Sequence, residues 1–146
     1  MLHLSAEILV TSFELLRRCG GGEHECVIYW TGPAAGVPRV ARADHPVHRQ
    51  SHACYEIDSQ WLTEYWFCLA REQFSIRAQV HTHPGAAFHS AIDSHWPIVS
   101  VPGFLSIVIP NFAMGPISLD EAWIGRIRSN GSWEEVRLET SINFLK

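Results

Sequence analysis

The stretch VHTHPGAAFHSAID, residues 80 to 93, carries His81, His83, His89, Ser90 and Asp93 and is broken by Pro84 and Gly85. Residues two apart on a strand project from one face, so His81 and His83 stand their rings side by side while Thr82 points the other way. Two imidazoles so placed begin a zinc site. Zinc takes about four ligands, with His nitrogen at about 2.0–2.1 Å, and a catalytic site leaves one position to water. Asp93 is the candidate third ligand. Ser90-Ala91-Ile92-Asp93 reads as the opening turn of a short helix cut off by Pro97, and a turn at Pro84-Gly85 carries it back over the strand end. Alone, Ser-x-x-Asp is only a helix cap, with Asp93 at the third position accepting backbone donors. Its place beside His-x-His makes it a ligand candidate.

Spacing removes three other metal folds built on related residues. A cupin needs a Glu a few residues after the second His, and a metallo-β-lactamase needs H-x-H-x-D-H. Here Pro84, Gly85, Ala86, Ala87 and Phe88 follow His83. A zinc deaminase needs P-C-x-x-C, which is also missing. His45, His48 and His52 recur at three- and four-residue steps, but no acidic or thiol partner nearby completes a set, so they read as loop or surface histidines. Cys19, Cys26, Cys54 and Cys68 form no C-x-x-C pair and read as reduced, partly buried thiols. His89 and His95 flank the Ser-x-x-Asp segment and take ordinary packing or surface roles.

The elements that must position these residues follow from periodicity and punctuation. Ser5 caps a first helix with Glu7 near its positive end. Ile8, Leu9, Phe13, Leu15 and Leu16 supply its apolar side, Arg17 and Arg18 suit its negative end, and Gly20-Gly21-Gly22 stops it. ECVIYWTG reads as an interior strand closed by Gly32-Pro33. A second strand around Val37 to Ala43 is demoted toward an edge by Pro38. DHPVHRQSHACYEID has no defensible period and reads as a loop. Asp58 or Ser59 caps the next helix, where Trp61, Leu62, Tyr65, Trp66 and Leu69 form a core-facing stripe through to about Gln73. SIRAQVHTH and GFLSIVIP are strands, and Asn130-Gly131 between two alternating runs marks a hairpin. The sum is an α/β domain with a mixed sheet and two principal helices.

Composition narrows the function. A chain of 146 residues, 47% hydrophobic and 18% charged, suits one domain, residues 1–146, that buries roughly two thirds of its unfolded surface. The net charge of −4 and scattered Lys and Arg offer no stripe for nucleic acid. Glu7 interrupts the first apolar run before it reaches the length of a signal core or membrane span, which predicts a cytoplasmic protein.

Glu25 in ECVIYWTG, then His81-Thr82-His83-Pro84, then Ser90-Ala91-Ile92-Asp93 together resemble the signature of the JAB/MPN (JAMM) zinc metalloproteases. Their order and types match, and the likeness covers nearly the whole chain. HTHPGAAFHSAID followed by PGFLSIVIPNF is similar to the prokaryotic JAB isopeptidases associated with bacterial ubiquitin-like conjugation systems. The loop Gly85 to His89 is one residue shorter than the family's usual six, and Val27 stands where a smaller residue often follows the Glu-Cys pair. The resemblance implies a layered, cytidine-deaminase-like fold in which a short helix follows the metal motif. It implies Zn2+ on His81, His83 and Asp93, Glu25 as general acid/base, and Ser90 as donor to the oxyanion. Zinc lowers the pKa of its water to about 7 and polarises the scissile carbonyl. The implied substrate is a ubiquitin-like protein or its conjugates, cut after a Gly-Gly-like tail, with association to E1- and E2-like enzymes. The resemblance also admits a peptidase acting on a sulfur-carrier protein of ubiquitin fold, or a non-catalytic scaffold. The loop Asp44 to Tyr55 and the segment Pro102 to Phe112 are expected to flank the tail's passage.

Overall fold

A computed structural model describes residues 1–50, 55–90 and 98–146. The first helix forms where its cap predicts: α1 spans Ala6–Gly20, the Ser5 side chain accepts from Ile8 N, and Gly21 closes it in the left-handed conformation at φ 59°. The second, α2 (Ser59–Glu72), is capped by Asp58, whose side chain accepts from Trp61 N. Of its aromatic stripe, Tyr65 and Leu69 are buried while Trp66 is exposed.

In chain order, strands β1 (Leu2–Ser5), β2 (Val27–Pro33), β3 (Arg42–Asp44), β4 (His48–Gln50) and β5 (Tyr55–Ile57) precede β6 (Phe74–Thr82) and β7 (Leu105–Ile109). Then come β8 (Trp123–Ile127), β9 (Trp133–Glu135), a short helix α3 (Leu138–Ser141) and β10 (Ile142–Leu145). The main sheet has the order β3-β2-β6-β7-β8-β9 and is mixed, β6 and β7 being parallel and the other pairs antiparallel. Because parallel neighbours cannot be joined by a tight turn, the chain must travel back the length of the strand between β6 and β7. That crossover carries His83 through Ser90.

Each face of the sheet has its own core. Ile28 and Trp30 of β2 pack with Phe13 and Leu16 of α1, whereas Val27 and Tyr29 pack with Tyr65 and Leu69 of α2, as the two-residue period of a strand requires. Trp30 brings its indole N–H into the first core, where it donates to Ser12 Oγ at 2.8 Å; Ser12 Oγ in turn donates to Ile8 O at 2.6 Å. Asp44 ties the edge strand down on the other side, accepting from Thr31 Oγ1 at 3.0 Å and Tyr65 OH at 2.6 Å. Burial, and then that bond, push the Tyr65 phenol above its ordinary value.

Two expectations change, and one pairing is new. The edge strand is shorter than Val37 to Ala43, because Pro38 is spent before it, its carbonyl accepting from His3 N at 2.9 Å. The segment read as a plain loop contains the antiparallel pair β4 and β5; three-residue strands leave no period to detect. The N-terminal strand β1 pairs in parallel with β10, a union of the two ends that neither short segment announces. The Asn130-Gly131 hairpin forms: Arg128 N bonds Ser132 O at 2.8 Å, and Gly131 takes φ 84°. The short helix expected after the metal motif falls on residues 91–97, outside the described residues.

Candidate active site

His81 lies near the end of β6 and is fully buried. Gln79, two residues back on the same face, holds its Nε2 3.5 Å from His81 Nδ1. His83 is one residue past the strand and 3% exposed, and the two imidazole centroids stand 5.1 Å apart. The antiparallel register pairs Val27 with His81, so the residues before β2 must run alongside those after β6. Two bonds fix that alignment: Thr82 N donates to Cys26 O at 3.0 Å, and Cys26 N donates to Thr82 Oγ1 at 2.9 Å. Thr82 thus points away from the histidines and locks the neighbouring arm. The arm delivers Glu25, 6% exposed, with Oε1 3.9 Å from His83 Nε2. That separation is beyond a direct hydrogen bond.

The loop after His83 is held from β7. His83 N donates to Ile109 O at 3.0 Å, Phe112 N donates to His83 O at 2.9 Å, and Asn111 N donates to Gly85 O at 3.0 Å. To make these bonds, Asn111, Phe112 and Ala113 all adopt left-handed backbone, with φ 56°, 52° and 61°. Each such residue costs of order 1–2 kcal/mol, and such strain gathers where surrounding structure over-determines it. Arg17 helps to impose it, donating from Nε to Ala113 O at 2.6 Å and from Nη2 to Gly115 O. The helix-end arginine therefore acts on the far side of the site as well as on its own helix terminus.

Ser90 is half-buried. Its neighbour His89 stacks on Trp123 of β8 at 4.5 Å and meets Trp133 of β9 at 4.7 Å, so it takes a packing role. Phe88 meets His83 edge-on at 4.6 Å, although it is 56% exposed. Asp93, the expected third ligand, and His95 lie outside the described residues. The structure therefore brings together Glu25, His81 and His83. Their donor chemistry fits a divalent ion: paired neutral imidazoles suit zinc and its neighbours, and a cation offsets the cost of burying a carboxylate.

The reading of Cys19 and Cys26 as reduced thiols is corrected, whereas His45 is an exposed loop residue, as read, and His48 is half-buried on β4. The sulfurs of Cys19 and Cys26 are joined, with Cα atoms 6.1 Å apart. His45 Nε2 is 3.3 Å from Cys26 Sγ, and His48 Nε2 is 3.4 Å from Cys19 Sγ. Sulfur atoms do stand beside the two histidines, but on segments too distant in sequence to be seen. Partial desolvation and then His48 pull the His45 imidazole below its ordinary value. His52 and Cys54 lie outside the described residues.

A groove of about 660 Å³, bordered by Trp66, Ile76, Arg77, Pro102 and Leu105, sits at the opening ends of β6 and β7, away from the histidines. The segment Pro102 to Phe112 thus begins at that groove, and its later part runs beside the site, Val108 pairing with His81 and Ile109 and Phe112 bonding the His83 backbone.

Comparison with known proteins agrees with this architecture. No family model matches the chain. It is 28% identical over 126 residues to "Probable metalloprotease y4jG" of Sinorhizobium fredii, covering 83% of this chain and 78% of that protein. A solution structure from Desulfitobacterium hafniense superposes with a TM-score of 0.71 at 15% identity, over 100% of this chain and 94% of the other. The crystal structure of a JAB1/MPN domain protein from Archaeoglobus fulgidus superposes with a TM-score of 0.55 at 13% identity, over 100% and 98%. The fold is therefore that of a JAB1/MPN domain. In sequence, the chain is similar to a probable metalloprotease. No helix among the described residues is long and apolar enough to cross a membrane.

Proposed function

We propose that this protein is a zinc-dependent peptidase that cuts after the C-terminal tail of a ubiquitin-like protein, in deconjugation or precursor processing. The coarser part, a metal-dependent hydrolase of peptide bonds, is supported by the metalloprotease relative and the JAB1/MPN fold. The observation that carries the reading is the buried Glu25 carboxylate 3.9 Å from the buried His83 imidazole, with His81 beside it.

In this reading His81, His83 and Asp93 hold the ion. When bound, zinc supplies a Lewis acid that polarises the scissile carbonyl and makes water acidic. Glu25 takes the proton of the attacking water and hands it to the departing amine, which requires the carboxylate to stand free of the metal ligands but within reach of the reacting water. Ser90 donates a hydrogen bond to the oxyanion as it forms. Thr82 keeps Glu25 in place through Cys26, and the left-handed turn at Asn111 to Ala113 keeps the His83 loop in place.

The substrate class is supported by the likeness of HTHPGAAFHSAID to prokaryotic JAB isopeptidases. Phe88 provides an exposed apolar lip against which an extended, Gly-ending tail can lie, backbone pairing supplying the rest of the grip. Association with E1- and E2-like enzymes and a cytoplasmic setting belong to the same proposal. The test is metal analysis together with cleavage of C-terminal fusions to ubiquitin-like proteins, including a sulfur carrier, for wild type, Glu25→Ala and His81→Ala. Turnover by wild type alone is the expected result. No turnover on any fusion by fully zinc-loaded wild type contradicts the reading.

A further inference from the structure

One ligand atom from each of Cys19, Cys26, His45 and His48 lies within 4.8 Å of all the others, apart from the residues assigned above. They come from the last turn of α1, the arm before β2, the connection from β3 to β4, and β4 itself. The histidine and its neighbour are oriented. His48 Nδ1 is 2.9 Å from the Pro46 carbonyl oxygen, which can only accept, so Nδ1 carries a proton and Nε2 is the nitrogen left to meet a metal. Gln50 Nε2 donates to Cys19 O at 2.7 Å, and its Oε1 then stands 3.0 Å from both His48 Nε2 and Cys19 Sγ. With the sulfurs joined, Cys19 has no hydrogen to offer.

We propose that, in the reduced protein, Cys19, Cys26, His45 and His48 form a structural metal site that binds one Zn2+. Zinc bonds of about 2.3 Å to sulfur and 2.0–2.1 Å to nitrogen place tetrahedral ligand atoms about 3.3–3.8 Å apart. For a sulfur–nitrogen pair that distance is about 3.5–3.6 Å, and the separations of 3.3 and 3.4 Å lie close to it. The sulfur pair is the contact that must open: a dithiol reductant supplies two electrons and two protons to cleave the S–S bond, and the two thiols release their protons to solvent as zinc binds. Four protein ligands leave no vertex for water, which separates this site from a catalytic one. The bond from His48 Nδ1 to Pro46 O is the outer contact that metal-bound imidazoles characteristically make. Such a site pins Cys26, and with it the adjoining Glu25, to the end of α1. It also anchors His48, the first of a row of rings in which Tyr55 and then His81 follow at 6.4 and 5.6 Å.

The test is zinc stoichiometry and the cobalt spectrum of the full chain, reduced and handled without oxygen. Wild type should hold one equivalent of zinc more than Cys19→Ser/Cys26→Ser, and Co2+ should give wild type a thiolate-to-metal charge-transfer band that this variant lacks. His81→Ala/His83→Ala should keep the band, which distinguishes this site from the proposed active site. His45→Ala/His48→Ala retains both thiols, and should lose the extra equivalent even if the cysteine variant fails to fold. Equal stoichiometry in wild type and both cluster variants, with no thiolate band, overturns the proposal. So does a thiol count showing Cys19 and Cys26 still joined in the folded protein after treatment with excess dithiol, since the pair is then a disulfide alone.

Discussion

In the proposed mechanism Glu25 and Ser90 do different work, and substitution separates them. Glu25→Gln keeps the shape of the side chain and removes its proton-accepting charge. We expect kcat to fall by about 10²–10⁴ with zinc content unchanged; steady-state kinetics beside metal analysis checks this, and unchanged kcat removes Glu25 from proton transfer. Ser90→Ala should cost about 10²–10³ in kcat, the range for one lost oxyanion donor. Phe88→Ala should instead raise KM with little change in kcat, because Phe88 offers a surface and no chemistry. Residues of this kind were legible in the sequence where spacing is local: His81 ends the strand's inward face and His83 continues its two-residue period one residue past the strand. Glu25 was legible only through the family pattern, since its approach to His83 depends on the register of β2 and β6. The cluster of Cys19, Cys26, His45 and His48 was not legible, because its ligands come from four segments that only the folded chain brings together.

At the scale of elements, the turn from Asn111 to Ala113 is the least predictable feature, for no glycine marks it. Asn111 is exposed, so exchanging its side chain tests the backbone rather than the packing. Asn tolerates left-handed backbone and Gly accepts it freely, whereas a β-branched residue resists it. Asn111→Gly is therefore expected to leave stability within a few tenths of a kcal/mol, and Asn111→Val to lower it by about 1–2 kcal/mol. Urea unfolding measures both; equal effects would mean that the turn is not left-handed in solution. Both long helices were legible to within a residue or so, because Ser5 and Asp58 announce their starts and Gly21 ends the first. The strands β4 and β5 were not, since three residues each are too few to carry a period.

For the whole molecule, the mixed sheet with a helix on each face followed from the alternation of element types, while the union of β1 with β10 did not. That contact joins residues at opposite ends of the chain and is specified by the completed core, not by either segment. The core itself has one polar dependency. Ser12→Ala would strand the buried Trp30 indole N–H, whose partner is Ser12 Oγ at 2.8 Å, at a cost of about 1–3 kcal/mol. Thermal unfolding checks this, and a loss of less than half a kcal/mol would show that the indole finds another acceptor. The same architecture sets β6 parallel to β7, forcing the long crossover that carries the metal motif past the strand ends. Anomalous diffraction at the zinc absorption edge from zinc-loaded crystals tests this placement most directly. A peak bonded to His81, His83 and Asp93, with Glu25 near but not ligating, is the predicted result. A peak that leaves either imidazole or the Asp93 carboxylate uncoordinated, or no peak at these histidines, would contradict it.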